Sequence, residues 1–193
     1  MKIGSSFFLT AAITVIGAST SIAQAAIIQN GGFETGDFTG WTTSDLTYSG
    51  VVDSRIYSSP DLNSHSGNYY ASLGPIGSIG FLSQNIFTTV GQTYELNLFL
   101  KNQSQNAFPN QFQIFINGDN IFNEININPL DYTKYSFNFI ATAASTEVKF
   151  GVRNDPEHLF LDDVNVIPIA VPEPLSLGGI VVAGAIGLWM KRK

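Results

Sequence analysis

The fold is decided by the stretch Tyr94-Glu95-Leu96-Asn97-Leu98-Phe99-Leu100, in which every even position is apolar. Because successive side chains of a β-strand point to opposite faces, this period of two predicts a half-buried strand. Leu96 and Leu98 should face a core. Asn97 and Phe99 should face outward, which makes Phe99 an aromatic residue on the polar side of its strand.

The same alternation recurs further along the chain, in residues 112–116, 135–139 and 147–153. Between two apolar segments, Asn117-Gly118-Asp119 is typical of a hairpin turn, because Asn and Gly tolerate positive φ. Additional strands are expected near residues 51–57, 69–73, 81–87 and 159–167. No stretch of this region keeps a 3.6-residue period. The pattern therefore predicts an all-β sandwich of about eight or nine antiparallel strands.

The composition argues against several classes of function. Between Ala26 and Ala170 there are 14 acidic and five basic residues, a net charge of −9. Nucleic-acid binding is disfavoured, because it requires a basic patch. The chain has no cysteine, so neither disulfides nor thiol chemistry is available to it. The domain must be held together by its core, by a metal, or by both.

Met1–Ala25 is typical of a secretory signal peptide. Lys2 supplies the positive charge, and residues 7–17 form an apolar segment that is too short to span a bilayer. A small-x-small triplet ends at Ala25, so we expect signal peptidase to cut between Ala25 and Ala26. A retained N-terminal anchor is the alternative.

The other end, residues 170–193, also has the character of a localisation segment, which leaves residues 26–169 for the folded domain. Pro172-Glu173-Pro174 is followed by the uncharged run 175–190 and by the basic end Lys191-Arg192-Lys193. A helix over this run would be about 24 Å long, somewhat short of the ~30 Å apolar core of a bilayer. The basic end favours an orientation with the rest of the chain outside. A single C-terminal transmembrane helix is expected, and a buried C-terminal helix is the alternative.

The order of these three parts resembles the PEP-CTERM sorting signal of Gram-negative bacteria and some cyanobacteria. The resemblance implies that the tail inserts in the inner membrane and that an exosortase-type enzyme processes it near Val171, Pro172, Glu173 and Pro174. It also implies export across the inner membrane, with a membrane-anchored precursor and a mature form at the cell surface or outside the cell.

A second resemblance spans the domain. Asn30-Gly31-Gly32-Phe33-Glu34 and Gly40-Trp41 open it, His65-Ser66-Gly67-Asn68-Tyr69-Tyr70 follows, and Leu161-Asp162-Asp163-Val164-Asn165-Val166 closes it. In this order the motifs resemble those of jelly-roll carbohydrate-binding modules and galactose-binding-like domains. The resemblance implies a jelly roll whose first and last strands are adjacent. It also implies a largely buried position for Phe33, Trp41, Leu161, Val164 and Val166.

Asp162 and Asp163 interrupt an otherwise apolar strand, where a carboxylate without a partner is costly. By strict alternation, one of them shares the face of Phe160 and Val164. If the first and last strands are neighbours, Glu34 comes close to the Asp pair. Carboxylates together with backbone carbonyls form a site of hard oxygen ligands that suits Ca²⁺. Many of the modules that the motifs resemble carry a structural calcium ion there. We expect structural Ca²⁺ at Glu34, Asp162 and Asp163; alternatively, the Asp pair caps a turn or accepts backbone amides.

Catalysis has little support in the sequence. The two histidines, His65 and His158, lack the spacing of metal ligands. His65 should make a hydrogen bond in a turn, and His158 should be solvated in a polar loop. Neither a nucleophile elbow nor a phosphate-binding loop is present. The sequence does not exclude a pair of carboxylates for glycoside hydrolysis, because its acidic residues allow many pairs. We expect a protein that is not an enzyme.

Carbohydrate binding is favoured instead, because sugars dock on aromatic faces flanked by polar side chains. The candidates on the polar side of the strands are Phe99, Phe115, Asn97, Gln113 and Asn138. The loops add Tyr48, Tyr57, Phe108 and Tyr132. For Phe99 and Phe115, the alternative is that loops or a short helix cover that face.

Two functions from different classes stay open. The first is an exported or surface-anchored module that binds carbohydrate, with extracellular polysaccharide as its partner. The second is a structural protein of the envelope or biofilm matrix that binds no small ligand.

Overall fold

The computed structural model describes residues 27–104 and 108–170, which contain ten strands in two antiparallel sheets. The strands are β1 Thr42–Ser44, β2 Gly50–Asp53, β3 Tyr69–Leu73, β4 Gly80–Phe87, β5 Thr93–Asn102, β6 Asn110–Ile116, β7 Asp119–Ile125, β8 Leu130–Ile140, β9 Ser145–Asn154 and β10 Leu159–Pro168. Sheet A has the order β1-β4-β9-β6-β7, and sheet B has the order β2-β3-β10-β5-β8. The all-β sandwich is confirmed, with ten strands rather than eight or nine.

Strand β5 shows how the sequence builds this core. Its even-numbered apolar residues are buried, with Leu96, Leu98 and Leu100 fully inaccessible to solvent. The corresponding apolar positions of β6 and β9 are buried as well, so the inner faces of the two sheets form one hydrophobic cluster. The period of two therefore predicts correctly which side of each of these strands faces inward.

The strand expected over residues 51–57 is shorter than predicted and ends at Asp53. The Asp53 side chain accepts the backbone N–H of Arg55 at 2.9 Å and thereby starts a 3-10 turn, Ser54–Ile56. A second 3-10 turn follows at Pro60–Leu62. The chain between β2 and β3 then lies over the outer face of sheet B, since Asn63 and His65 contact residues of β5 there.

The expected adjacency of the first and last strands is wrong. Strand β1 pairs with β4 in sheet A, whereas β10 lies between β3 and β5 in sheet B. What runs beside β10 is the segment before β1. Ile27 N–H donates to the Val166 carbonyl at 3.1 Å, and Val164 N–H donates to the Gly31 carbonyl at 2.9 Å. Positive φ at Asn30 and Phe33 turns the chain away before a strand can form.

A β-bulge in β10 changes which side its residues face. The β10–β5 register shifts between Asp162 and Asn165, and Asp163 has φ 48°. Because the bulge inserts an extra residue, Leu161 and Val164 both face the core. Phe160 packs on the other side of sheet B, with its ring centroid 4.7 Å from that of Tyr70. The expected common face of Phe160 and Val164 is therefore wrong.

The core residues that the motif resemblance implies are confirmed: Phe33, Trp41, Leu161, Val164 and Val166 are all buried. Phe33 stacks on Trp41 with ring centroids 5.8 Å apart. The Trp41 indole N–H donates to the Asn30 carbonyl at 3.1 Å. The opening motif thus closes one side of the core rather than presenting Trp41 to a ligand.

The predictions for the two chain ends lie outside the described residues. This applies to the signal-peptide cleavage at Ala25–Ala26, to processing at residues 171–174 and to the C-terminal transmembrane helix. In the part of the chain that is described, no helical segment has the length and hydropathy needed to cross a bilayer.

Candidate functional site

An aromatic pair lies on the outer face of sheet A. Phe81 of β4 and Phe115 of β6 face away from the core, and their ring centroids are 6.3 Å apart in an edge-to-face arrangement. Strand β9 runs between β4 and β6, and its Gly151 is opposite Phe81 of β4 on one side and opposite Gln113 of β6 on the other. A Cβ at Gly151 would lie 2.8 Å from Gln113 Oε1 and 3.1 Å from Phe81 Cε1, so the glycine leaves room for both side chains.

Lys149 places a charge beside this pair. Its Nζ lies 5.9 Å from the Phe81 ring centroid and 5.6 Å from that of Phe115, distances typical of cation–π contacts. The same Nζ is 3.0 Å from Glu147 Oε2. The ammonium is therefore fixed between a carboxylate and two rings, and it stays partly accessible to solvent.

A shallow groove of about 270 Å³ runs along this face. It is lined by Thr42, Ser44, Phe81, Ser83, Glu147 and Lys149. Hydroxyl, carboxylate and ammonium groups next to an aromatic ring offer both hydrogen bonds and apolar contact. The groove can therefore hold a ligand that has polar edges and apolar faces.

Part of the outer face of sheet B is covered by the segment between β2 and β3. His65 lies flat on Phe99, with ring centroids 3.5 Å apart and 16° between the planes. Lys101 is only 6% exposed, and its Nζ contacts Asn63 Oδ1 and Asp131 Oδ1 at 3.2 Å each. The 54–68 segment therefore covers one face of the Phe99 ring, while a pocket of about 620 Å³ beside it is still lined by Asn97 and Phe99.

The predicted binding residues are split between the two sheets. Gln113 and Phe115 lie on sheet A, beside the groove, whereas Asn97, Phe99 and Asn138 lie on sheet B. Asn97 is nearly buried and accepts a hydrogen bond from the Ser136 hydroxyl at 2.6 Å, and Asn138 is exposed. The covering predicted as an alternative thus exists for Phe99 but not for Phe115.

Phe81 was not among the predicted site residues. Its strand was predicted, and Leu82 and Ile86 are buried on the inner face. The alternation that exposes Phe115 therefore also exposes Phe81. Of the residues predicted to lie in loops, Tyr48 is 71% exposed and precedes β2. Tyr132 lies in β8 instead and packs edge-on against His65.

The carboxylates of the closing motif reach the HSGNYY segment. Asp162 is fully buried, and its Oδ2 accepts the backbone N–H groups of His65 at 2.8 Å and Ser66 at 3.3 Å. Its Oδ1 accepts the backbone N–H of Asp163 at 2.7 Å. Burial and the neighbouring Asp163 charge raise the pKa of Asp162 to about 7, although these amides oppose the shift.

Asp163 and Glu34 hold the same segment from its exposed side. Asp163 contacts the His65 imidazole at 2.6 Å and accepts the Ser66 hydroxyl at 2.8 Å. Glu34 accepts the backbone N–H groups of Asn68 at 2.9 Å and Tyr69 at 3.0 Å. Of the Asp pair, Asp162 makes the backbone-amide contacts predicted as the alternative to calcium, whereas Asp163 contacts side chains. The hydrogen bonds of His65 join it to the last strand, 97 residues away, rather than closing a turn as predicted.

Two of the three carboxylates, those of Asp162 and Asp163, lie next to Gly32, whereas the Glu34 side chain passes it and places its carboxylate at Gly67. A Cβ at Gly32 would lie 3.4 Å from Asp163 Oδ1, 3.8 Å from Asp162 Oδ1 and 3.8 Å from Glu34 Cγ. Among the described residues, no group of three or more His, Asp and Glu side chains is arranged to hold a metal by itself. A cation here would therefore need backbone oxygens as well.

The predicted solvation of His158 is wrong. This residue is only partly exposed, and its Nε2 lies 2.9 Å from the Tyr48 carbonyl oxygen. The imidazole also packs against Gly74, where an added Cβ would meet His158 Cδ2 at 2.6 Å. His158 thus fastens one loop at this end of the sandwich.

Solved structures share this architecture, while no known protein family and no curated protein matches the chain. TmCBM61, a module solved with β-1,4-galactotriose, is 18% identical with a TM-score of 0.60, covering 75% of this chain and 99% of the module. The second module of carbohydrate-binding family 16 is 17% identical, with a TM-score of 0.52, covering 73% and 99%. The CBM22-1 xylan-binding domain from Paenibacillus barcinonensis is 14% identical, with a TM-score of 0.52, covering 78% and 99%.

At these identities the likeness shows the fold. The chain has the jelly-roll architecture found in carbohydrate-binding modules, as the opening and closing motifs predicted.

Proposed function

We propose that the domain binds carbohydrate on the outer face of sheet A. The observation that supports this is the aromatic pair Phe81 and Phe115, with Lys149 beside it. Among the described residues, no side chain from another segment stacks on either ring. On sheet B, by contrast, His65 already stacks on one face of the Phe99 ring.

The chemistry of this face suits a sugar. A pyranose ring has apolar C–H faces that pack on aromatic rings, and its hydroxyls need donors and acceptors around the edge. Lys149 supplies donors, Glu147 supplies an acceptor, and Ser44 and Ser83 supply both. Since the groove is open, an extracellular polysaccharide chain could lie along it and continue past its ends.

The same groove does not support glycoside hydrolysis. That reaction uses two carboxyl groups that flank the scissile bond. Of the described residues that line the groove, Glu147 is the one carboxylate, and Lys149 pairs with it at 3.0 Å. A binding role without catalysis therefore fits this site best.

A glycan array tests the proposal. Residues 26–169 should be retained selectively by one class of polysaccharide. A flat array, together with oligomers that grow with protein concentration, would instead support a structural protein of the envelope or matrix.

We also propose that the protein is exported across the inner membrane. Residues 1–25 act as the signal peptide in this scheme, and residues 170–193 anchor the precursor until an exosortase-type enzyme processes it. The sequence pattern of the two ends supports this.

A structural Ca²⁺ between Glu34, Asp162 and Asp163 is part of the proposal. Asp162 and Asp163 place two carboxylates next to Gly32, and the Glu34 side chain runs past the same residue. Burial, and after it the charge of Asp163, raises the pKa of Asp162 to about 7. Hard oxygen ligands of this kind suit Ca²⁺, which would tie the opening segment to the last strand.

A further inference from the structure

Three exposed apolar side chains lie at one end of the sandwich: Phe87 at the end of β4, Val90 in the loop that follows, and Ile140 at the end of β8. They are 90%, 63% and 63% exposed, respectively. The loops that carry them are joined, since Gly91 N–H donates to the Ala141 carbonyl at 2.8 Å. Ile140 is opposite Thr93 in the β5–β8 register. We call Phe87, Val90 and Ile140 the apolar tip.

The surroundings of the apolar tip are uncharged. Residues 88–92 and 141–144, which form its two loops, contain no acidic or basic residue. The nearest acid along β9 is Glu147, which pairs with Lys149 at 3.0 Å.

Phe87 is on the outer side of sheet A and Ile140 on the outer side of sheet B, so the apolar tip has exposed apolar side chains on both sides of the loop that carries Val90. Exposed apolar surface of this kind is typical of a contact with a partner or a membrane.

The C-terminal segment leaves the domain at the same end. Ile169 N–H donates to the Thr93 carbonyl at 2.8 Å, and the Gln92 side chain donates to the Ile169 carbonyl at 2.6 Å. Only four residues, 171–174, separate Ala170 from the uncharged run that starts at Leu175. Even fully extended, this connection spans no more than ~18 Å.

We propose that the apolar tip rests in the interfacial region of the lipid bilayer while the precursor is anchored. The inference depends on the proposed membrane insertion of residues 175–190. If that run is inserted, the short connection holds this end of the domain at the membrane surface. Apolar side chains without nearby charge can then enter the boundary between headgroups and acyl chains. The strands would then run roughly perpendicular to the membrane, and the groove of sheet A would face sideways, parallel to the membrane surface, and stay accessible to ligands outside the cell.

Site-specific fluorescence tests the orientation in the full chain. Since the natural sequence has no cysteine, Val90→Cys accepts a single environment-sensitive label. The labelled chain is reconstituted in phosphatidylcholine–phosphatidylglycerol vesicles and isolated by flotation. We expect quenching by lipid-borne doxyl groups and protection from aqueous iodide.

A matched control is Tyr48→Cys, because Tyr48 is 71% exposed and lies at the end of the sandwich opposite the apolar tip. Its position there is fixed by the neighbouring Ser49, whose hydroxyl accepts the backbone N–H of Gly74, just beyond β3. The Tyr48 label should be quenched by iodide only. Adding Phe87→Asp to the Val90→Cys chain should shift the Val90 label toward iodide, since a carboxylate resists entry into the interface.

The outcomes separate the two proposals. A chain that does not float with the vesicles overturns both the insertion of residues 175–190 and the docking of the apolar tip. Flotation with a Val90 label open to iodide overturns the docking alone. A label protected from both quenchers places a second copy of the chain on the apolar tip and also overturns the docking.

Discussion

The backbone N–H of His65 donates to Oδ2 of Asp162 at 2.8 Å, although the two residues are 97 positions apart in the chain. This hydrogen bond fixes the HSGNYY segment over sheet B and brings the His65 ring onto Phe99. It also places a carboxylate in a fully buried position. The closing motif therefore holds in place the segment that covers part of the outer face of sheet B.

The pKa of Asp162 makes stability depend on pH in a predictable direction. Burial and Asp163 raise this pKa to about 7 from the ordinary 3.8, so ionising Asp162 costs more free energy in the folded state than in the unfolded state. The penalty is absent below pH 3.8 and complete above about pH 7. In EDTA, the Tm advantage of wild type over Asp162→Asn should shrink as pH rises through this window. An advantage that stays constant would mean that Asp162 is ionised throughout.

Asp53→Asn serves as the opposite control. A side-chain hydrogen bond from Arg55 lowers the pKa of Asp53 to about 2. Its contribution to stability is thus present above the ordinary pKa of 3.8 and lost as pH falls toward 2. The Tm difference between wild type and Asp53→Asn should therefore change only in the acid range.

Calcium should raise the Tm if Glu34, Asp162 and Asp163 bind it. A ligand that binds only the native state stabilises it by roughly 2.7 kcal/mol at a hundredfold excess over Kd, which corresponds to several degrees in Tm. EDTA should lower the Tm and Ca²⁺ should restore it more effectively than Mg²⁺. Glu34→Ala and Asp162→Ala should abolish the response, whereas Asp119→Ala, an exposed acid in the β6–β7 hairpin, should keep it. Identical melting with and without chelator would leave the carboxylates as amide acceptors only.

The alternation of residues identified strands but not their sheets. It placed Phe99 and Phe115 correctly on the outer sides of β5 and β6. It could not show that these strands belong to different sheets, because pairing is decided by contacts between distant segments. The five predicted binding residues were therefore divided between two faces. Phe81 was missed, although the same alternation exposes it.

Local backbone conformation limited the rest of the prediction. A period of two assumes that every residue continues the pleat, and the positive φ of Asp163 breaks it. Strand β1 consists of Thr42, Thr43 and Ser44, which have no apolar alternation to detect. The covering of sheet B depends on the path of residues 54–68, which the 3-10 turns redirect.

Phe33→Ala tests the role of the opening motif in the core. Phe33 is fully buried against Phe38 and Trp41, with ring centroids 6.1 Å and 5.8 Å away. Its loss should reduce the free energy of unfolding by about 3–5 kcal/mol, measured by urea denaturation. Phe87→Ala is the matched control, since that ring is 90% exposed, and should change the free energy by no more than about 0.5 kcal/mol. Equal effects of the two substitutions would contradict the assigned core.

Replacing Pro172-Glu173-Pro174 by Ala-Ala-Ala tests the proposed processing. The change removes the break between the domain and the uncharged run while leaving the run and its basic end intact. We expect a longer form that stays in the inner membrane, detected by immunoblotting and mass spectrometry of cell fractions. Release of mature protein with unchanged mass would contradict a processing site at this triplet.

The groove of sheet A gives the sharpest test of carbohydrate binding. Once the array has identified a glycan, Phe81→Ala and Phe115→Ala should each weaken its binding tenfold or more, about 1.4 kcal/mol, because each removes one ring of the platform. Phe87→Ala removes a ring from the same strand and the same face as Phe81, but at the far end, and should leave the affinity unchanged. Calorimetric titration of the three variants, with circular dichroism to confirm their folding, distinguishes the sites. If Phe87→Ala weakens binding as much as Phe81→Ala does, the glycan contacts the end of the sandwich rather than the groove.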